Sequence, residues 1–178
     1  MSTAEPARHT GPLAVLVGPM GAGKSTVGRR LASLLSAELV DSDAEIERRT
    51  GRRIPEIFVD GESAFRKIEE DVVAQLLSQS GCVLSLGGGA VLSAATRARL
   101  AGHPVVYLTV TPERGFARVA GSDRPLLRAD DPAARYAELL ASRDATYRGV
   151  ATLVVDTENH SPAELAARVA ELLENPSR

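Results

Sequence analysis

LAVLVGPMGAGKST, residues 13–26, is the most informative stretch of this 178-residue chain. Residues 13–17 form a short, wholly apolar run between Gly11-Pro12 and Gly18-Pro19, which is typical of a strand buried on both faces of a parallel sheet. Residues 25–37 then carry apolar side chains at helical spacing. The stretch therefore predicts a strand, a glycine-rich turn and a helix in immediate succession.

The glycine-rich turn carries a phosphate-binding motif. Residues 18–25 match the pattern G-x-x-x-x-G-K-[ST] at every defined position, and they lie between a strand and a helix as the mechanism requires. The glycines let successive backbone N–H groups point into one concavity, and the positive end of the helix dipole faces the same anion. Lys24 offers a charge to the terminal phosphates, and the Ser25 hydroxyl is an oxygen ligand for Mg²⁺. The motif predicts binding of a nucleoside triphosphate.

Strands and helices alternate along the rest of the chain. Strands are predicted at residues 13–17, 39–40, 82–86, 105–110 and 153–155. Helices are predicted at 25–37, 43–49, 62–79, 94–100, 113–119, 133–147 and 162–173, with a helical turn at 54–59. The alternation indicates an α/β fold with a five-stranded parallel sheet and right-handed crossovers. Residues 121–132 lack an apolar period and hold five charges, so we expect a mobile loop there.

Composition narrows the function classes. Hydrophobic residues make up 44% and charged residues 25% of the chain, as in ordinary globular proteins, and no internal repeat or long linker is visible. We therefore expect one domain over residues 1–178, with frayed ends at 1–11 and 175–178. The net charge of −2 and the 3% aromatic content argue against a generic binder of nucleic acid or of anionic membranes.

Cellular location and metal chemistry follow from other features of the sequence. No apolar run approaches the ~18 residues that cross a bilayer, and the first twelve residues have no apolar signal core. Cys82 is the only cysteine, so neither a disulfide framework nor a thiolate metal cluster is expected. We expect Cys82 to be buried as a small apolar residue. We expect a cytoplasmic protein.

Two carboxylates follow the second predicted strand. Asp41 and Asp43 stand at its carboxyl end, where open α/β sheets bind their ligands. One carboxylate near the terminal phosphate could accept a proton from an acceptor hydroxyl, and its neighbour could hold Mg²⁺ through water. Asp and Ser also cap helices, so Asp41 or Ser42 could simply cap the helix that follows. Both interpretations stay open at the level of the sequence.

An arginine and a run of glycines are further candidates. Arg66 lies near the start of an amphipathic helix, where it is either a solvated side chain or a bidentate ligand for a carboxylate. Gly87, Gly88 and Gly89 follow the third strand, and three consecutive glycines lose much chain entropy on folding. Either a tight turn or the close approach of a ligand would explain them.

Together, in this order and spacing, these motifs resemble the shikimate kinase family. The resemblance runs from about residue 13 to about residue 170 and rests on GPMGAGKST at 18–26, DSD at 41–43, GESAFRKIE at 61–69, SLGGGAV at 85–91, RPLL at 124–127 and the helix that includes Arg143. It implies a three-layer P-loop kinase fold whose sheet has the strand order 2-3-1-4-5, with helices on both faces. It also implies a substrate-binding region at about 41–70 and a mobile lid at about 121–132.

The resemblance implies transfer of the γ-phosphoryl group of ATP to the 3-hydroxyl of shikimate, in aromatic amino acid biosynthesis, with Mg²⁺ as cofactor. Implied catalytic residues are Lys24, Asp43 and Arg124. Implied ATP contacts are Gly21, Ala22, Gly23, Lys24, Ser25, Thr26, Arg118, Arg124 and His160. Implied shikimate contacts are Asp43, Phe58, Phe65, Arg66, Gly87, Gly88, Gly89 and Arg143. Ser25 would bind the magnesium ion, which Asp41 would support through water.

The sequence departs from the family pattern in two places. His160 stands where many relatives have an arginine, which puts an ATP contact at that position in doubt. The lid is about one residue shorter between Arg118 and Arg124 than in some relatives, which could alter lid kinetics.

Two other functions remain as alternatives. One is a P-loop kinase of another small hydroxy acid, such as gluconate, or of a nucleotide, although a nucleotide acceptor favours more stacking aromatics than this chain has. The other is a nucleotide-binding regulatory module without turnover, against which the acceptor-site residues argue. The expected partners are ATP and shikimate, with no nucleic acid and no membrane, and a monomer is expected.

Overall fold

Five parallel strands form the centre of the molecule. The structure is a computed structural model that describes residues 10–175. Its strands are β1 (Ala14–Val17), β2 (Glu38–Asp41), β3 (Cys82–Ser85), β4 (Val105–Thr109) and β5 (Leu153–Asp156). They pair in the order β2-β3-β1-β4-β5, and every pair is parallel. The predicted sheet, with its strand order 2-3-1-4-5, is confirmed.

Eight α-helices connect and cover these strands. They are α1 (Lys24–Leu34), α2 (Ser42–Thr50), α3 (Ile54–Ile57), α4 (Glu62–Leu76), α5 (Ala94–Leu100), α6 (Pro112–Val119), α7 (Pro132–Val150) and α8 (Pro162–Glu174). Short 3-10 turns occur at Phe58–Asp60, Ala90–Leu92 and Pro125–Leu127. Among the described residues, none of these helices has the length and apolar character that a bilayer span needs.

The strand β1 shows why its sequence is apolar throughout. Ala14 and Leu16 pack with α1 and α8 on one face of the sheet, where Leu31 and Leu165 are among the buried residues. The other two residues of β1 pack with α4 and α7 on the opposite face. Both faces of the strand are therefore buried, as the unbroken apolar run predicts.

Several element ends differ from the predicted ones. Helix α1 ends at Leu34 rather than at residue 37, and Ser36 follows it with a φ of 51°. Helix α4 ends at Leu76, three residues before the predicted end, whereas α7 continues to Val150. The apolar spacing continues through the last turns of α1 and α4, so it cannot locate the ends of these helices. Their ends are set by the backbone geometry.

The predicted loop at 121–132 is partly structured. The 3-10 turn Pro125–Leu127 lies within it, and Leu127 is buried against Tyr136 and Leu140 of α7. Lid motion there remains a prediction. The frayed ends predicted at 1–11 and 175–178 fall largely outside the described residues, within which Gly11 is buried.

This architecture brings distant motifs to one edge of the sheet. The carboxyl ends of β1, β2 and β3 are adjacent because these strands are parallel neighbours. The chain leaves β1 into the glycine-rich turn, β2 into α2 and β3 into residues 87–89, which we call the glycine loop. Ligand sites of open parallel sheets lie at this edge.

Candidate active site

The loop between β1 and α1, residues 18–23, is shaped to hold an anion; we call it the phosphate loop. Gly21 and Gly23 have φ values of 82° and 93°, which favour glycine. A Cβ on Gly21 would also collide with the carbonyl oxygen of Gly115. No side chain caps the start of α1, so its first N–H groups are available to phosphate oxygens.

Lys24 is held against its own loop. Its Nζ donates hydrogen bonds to the carbonyl oxygens of Gly18, at 2.7 Å, and Pro19, at 2.9 Å. Burial lowers the pKa of Lys24 to about 8, although the nearby Asp43 and Asp41 carboxylates act in the opposite direction. A bound phosphate would favour the charged ammonium and would take over these donors.

Above the phosphate loop lies a pocket of about 300 Å³, which we call the phosphate pocket. Every predicted ATP contact except Ala22 and His160 is among its lining residues. Its lining comprises Met20, Gly21, Gly23, Lys24, Ser25, Thr26, Asp41, Asp43, Leu86, Gly87, Gly88, Arg118, Val119 and Arg124. Ala22 is buried beneath the loop. His160 is exposed, and its ATP contact stays a prediction.

The two aspartates of the DSD motif have different surroundings. Asp41 caps α2, since its Oδ1 accepts hydrogen bonds from the backbone N–H groups of Asp43, at 3.0 Å, and Ala44, at 3.1 Å. The capping interpretation is therefore right for Asp41, whose Oδ2 is left for another partner. Asp43 does not cap the helix, and its Oδ1 is buried without a hydrogen-bond partner among residues 10–175. Burial, with the Asp41 charge, raises the pKa of Asp43, while Lys24 opposes the shift.

The glycine loop is shaped by the side chains that pack against it. Gly87 donates its N–H to the Ser42 hydroxyl at 2.9 Å, and a Cβ on Gly87 would lie 2.5 Å from Oδ1 of Asp43. A Cβ on Gly89 would collide with the Arg66 guanidinium. Two of the three glycines are thus in close contact with predicted site residues, which would have to shift to make room for a Cβ.

A second pocket, of about 270 Å³, lies beside the phosphate pocket; we call it the acceptor pocket. It is lined by Met20, Asp43, Glu47, Arg53, Ile54, Pro55, Phe58, Phe65, Arg66, Gly87, Gly88, Gly89, Ser122, Asp123, Arg124, Pro125, Leu126 and Arg143. Every predicted shikimate contact is in this set. Asp43 and Arg124 line both pockets. The two pockets therefore meet at a carboxylate and a guanidinium.

Arg66 is tethered rather than solvated. Its Nη1 donates to Glu69 at 2.6 Å, and its Nε and Nη2 donate to Glu62 at 3.2 and 3.1 Å. Of the five N–H donors of a guanidinium, two remain for a ligand. The guanidinium also lies 5.2 Å from the ring centre of Phe65. The orientation of Arg66 is therefore set by its own helix and faces the acceptor pocket.

Further cationic and apolar groups complete the acceptor pocket. Arg143 on α7 is only 6% exposed, although a buried arginine is costly unless it binds an anion or another partner. The rings of Phe58 and Phe65 lie 4.6 Å apart between their centres and form the apolar wall. Arginines beside an apolar wall suit an organic anion that has a carboxylate and an apolar face.

Two arginines border the phosphate pocket from the lid side of the molecule. Arg118 donates to the carbonyl oxygen of Gly21 at 2.8 Å, so it fixes the phosphate loop directly. Arg124 is exposed but lines both pockets, which suits a charge that moves onto the phosphates. Contact of Arg118 with adenine stays a prediction.

Glu69 is a buried partner of Arg66 that the sequence did not predict for this site. It is 3% exposed, and burial raises its pKa to about 7 although Arg66 acts against the shift. Its position on the apolar face of α4, between Phe65 and Val72 at helical spacing, is a signal that could have identified it. Glu47 and Arg53, which line the acceptor pocket, had no such signal.

The donor set also fits a magnesium ion. The Ser25 hydroxyl and the Asp41 carboxylate both line the phosphate pocket, and Mg²⁺ prefers oxygen ligands. Among residues 10–175, no cluster of three or more His, Cys, Asp or Glu side chains could enclose a metal. The protein thus offers Mg²⁺ only a few oxygens, as is usual when phosphates and water complete the shell.

Comparisons with known proteins agree with this geometry. The family model for shikimate kinase matches residues 20–174. A shikimate kinase from Rhodococcus erythropolis is 51% identical over 166 residues, which cover 92% of this chain and 98% of the relative. A shikimate kinase from Acinetobacter baumannii, solved in complex with shikimate, superposes with a TM-score of 0.90 at 41% identity and covers 96% of each chain. A gluconokinase from Sinorhizobium meliloti, at 21% identity and a TM-score of 0.53, shares the fold alone. The chain belongs to the shikimate kinase family.

Proposed function

We propose that this enzyme transfers the γ-phosphoryl group of ATP to the 3-hydroxyl of shikimate, which yields shikimate 3-phosphate and ADP. One observation carries the proposal: the phosphate and acceptor pockets meet at Asp43, whose Oδ1 is buried and has no hydrogen-bond partner within the described part of the chain. A donor and an acceptor bound in these pockets would place the reacting oxygen beside this carboxylate.

Asp43 receives the acceptor hydroxyl. The oxygen–phosphorus bond to shikimate forms while the bond between the γ-phosphorus and the bridging oxygen of ADP breaks, and the hydroxyl proton passes to the carboxylate. Because burial raises the pKa of Asp43, its carboxylate is more basic than that of an ordinary aspartate.

Charge on the transferring group is neutralised by two basic side chains. Lys24 leaves the carbonyl oxygens of Gly18 and Pro19 for the phosphates, and Arg124 approaches from the other side. Phosphoryl transfer depends mainly on positioning and on such neutralisation, because the transition state spreads charge over the phosphoryl oxygens. Ser25, and Asp41 through water, would hold Mg²⁺, which would supply further positive charge to the phosphates.

The acceptor is selected by its carboxylate. Arg66 has two N–H donors left after its bonds to Glu62 and Glu69, and Arg143 supplies a second buried cation. The Phe58 and Phe65 wall excludes water from the apolar side of the ring. The glycine loop leaves space for the ring hydroxyls close to the backbone.

Residues 121–132 act as the lid. Ser122, Asp123 and Arg124 line the acceptor pocket, so closing this segment would exclude water from the transfer centre. Water would otherwise compete with shikimate as acceptor. We further propose that the enzyme acts as a cytoplasmic monomer.

The proposal is tested by ADP release from Mg-ATP in a coupled assay. Shikimate, gluconate and a set of nucleoside monophosphates are offered separately, with an acceptor-free control. Release that depends on shikimate is expected. Release with another acceptor alone would overturn the assignment of the carboxylate-binding residues, and intact ATP binding without any acceptor-dependent release would favour a regulatory module.

A further inference from the structure

Helix α7 holds both active-site loops through two tyrosine hydroxyls. Tyr136 donates a hydrogen bond of 2.6 Å to the carbonyl oxygen of Met20 in the phosphate loop. Tyr147, three helical turns further along, donates a hydrogen bond to the carbonyl oxygen of Gly88 in the glycine loop. Arg143, which lines the acceptor pocket, lies between them on the same helix.

Packing fixes both tyrosine rings independently of their hydroxyl bonds. Tyr136 is 2% exposed, and Gly115 of α6 has no room for a Cβ because of the Tyr136 hydroxyl. Tyr147 is fully buried and stacks on Tyr107, with ring centres 4.9 Å apart. Burial raises the pKa of each hydroxyl to about 12, so both remain hydrogen-bond donors at physiological pH.

The loops that these hydroxyls hold are in direct contact. A Cβ placed on Gly88 would lie 3.4 Å from the backbone nitrogen of Met20 and 3.5 Å from the carbonyl oxygen of Gly18. A small shift of either loop would therefore change the distance between donor and acceptor. Catalytic geometry tolerates little displacement of this kind.

We propose that Tyr136 and Tyr147 are positioning residues, which set the phosphate loop and the glycine loop in register through hydrogen bonds from one rigid helix. Tyr136 acts on the ATP side of the transfer centre and Tyr147 on the acceptor side. The inference rests on the proposed function, in which these loops carry the two substrates. Neither tyrosine lines either pocket, so both act through the groups that they hold: the backbone of the two loops and, for Tyr147, also the Arg143 side chain in the acceptor pocket.

The test replaces each hydroxyl singly and keeps the ring. Tyr136→Phe and Tyr147→Phe are compared with a matched control, Tyr107→Phe. Tyr107 is equally buried and donates a 2.7 Å hydrogen bond to Asp144 of the same helix, but it holds neither loop. Asp144 keeps its ion pair with Arg148 in that control. For each variant, kcat, both KM values and the midpoint of thermal unfolding are measured.

We expect each of the two variants to raise the KM for a different substrate. Tyr147→Phe should raise the KM for shikimate about three- to tenfold, the loss that one hydrogen bond corresponds to, and should leave the KM for ATP within about twofold. Tyr136→Phe should show the reverse pattern. Tyr107→Phe should change neither KM.

Two results would overturn the proposal. One is an equal rise in both KM values in each variant, and the other is kinetics indistinguishable from those of Tyr107→Phe at equal loss of thermal stability. Calorimetric binding of ATP without acceptor separates this proposal from the proposed function. Weaker ATP binding in Tyr136→Phe alone supports the positioning role even if the parent enzyme releases no ADP with shikimate.

Discussion

Asp41 and Asp43 belong to one three-residue motif, yet the fold gives them different surroundings. One oxygen of Asp41 caps the start of α2, whereas Asp43, at the junction of the two pockets, has a buried oxygen to which no described residue donates a hydrogen bond. Leaving such a group unpaired is costly, so its persistence indicates a ligand. Arg66 shows the opposite case, because its neighbours on α4 already hold it in place.

Replacing Asp43 by asparagine should abolish transfer but keep ATP binding. The amide has nearly the same shape but cannot accept the proton, so turnover should fall at least about 100-fold. Turnover with saturating substrates and calorimetric ATP binding measure the two effects. Asp60→Asn is the control, since Asp60 is an exposed partner of Arg52 outside both pockets. Unchanged turnover in Asp43→Asn would show that another group accepts the proton.

Replacing Arg66 by alanine should weaken shikimate binding selectively. Loss of charge-assisted hydrogen bonds to the acceptor carboxylate should raise the KM for shikimate about tenfold to hundredfold, with the KM for ATP near its parent value. Steady-state kinetics with each substrate varied in turn measure both constants. Arg52→Ala removes an exposed arginine that lines neither pocket and should change neither constant. An equal loss for both substrates would indicate that Arg66 acts in folding instead.

At the scale of elements, the site is made by segments that pack against one another. The glycine loop follows β3, but its shape is dictated by side chains from α2 and α4. The φ of Gly89 is −99°, a value open to any residue, and the nearest atoms that a Cβ would meet belong to the Arg66 guanidinium. Glycine at this position therefore reflects a tertiary contact and not backbone strain.

Gly89→Ala should therefore mimic a mild loss of Arg66. Because the guanidinium is the far end of a flexible side chain, it can move aside, so the midpoint of thermal unfolding should change little while the KM for shikimate rises several-fold. Gly149→Ala is the matched control, since its Cβ would meet nothing within 4 Å on α7. That control should stabilise the helix by about 0.5–1 kcal/mol and should not change either KM value. Unchanged shikimate kinetics in Gly89→Ala would mean that the position of Arg66 is not critical.

At the scale of the whole molecule, the buried carboxyl of Glu69 reduces the free energy of unfolding at neutral pH. Two apolar clusters, one on each face of the sheet, supply the core. Glu69 lies within this interior and accepts a hydrogen bond from Arg66. Its pKa of about 7, against an ordinary 4.5, means that the folded chain binds the proton more tightly than the unfolded chain.

The stability that this proton supplies is present below about pH 4.5 and is lost as the pH rises to about 7. Glu69→Gln cannot titrate, so its unfolding free energy relative to the parent should rise between pH 5 and pH 8, by at most about 3 kcal/mol. Thermal unfolding across that range measures the difference. Glu138→Gln, which changes an exposed glutamate of α7, should leave the pH profile as it is. A constant difference between Glu69→Gln and the parent would contradict the prediction.

Local pattern was sufficient for the type and order of the main elements. The apolar run of β1, the helical spacing of α1 and the motif between them depend on neighbours in the chain, and the alternation of strands with helices restricts the sheet to few topologies. The strand order 2-3-1-4-5 came from the resemblance to the shikimate kinase family. Local pattern could not settle where α1 and α4 end, because apolar side chains continue through their last turns.

Contacts between distant segments decided the rest. Spacing could not tell whether Asp41 or Ser42 caps α2. The hydrogen bonds decide it, because Asp41 accepts from the N–H groups at the start of α2, whereas the Ser42 hydroxyl accepts from the distant Gly87. The bonds from Tyr136 and Tyr147 join residues 116 and 59 positions apart, and no local pattern marks them. Hydrogen bonds and burial depend on neighbours in space, which the chain acquires only when its parallel strands bring their carboxyl ends to one edge.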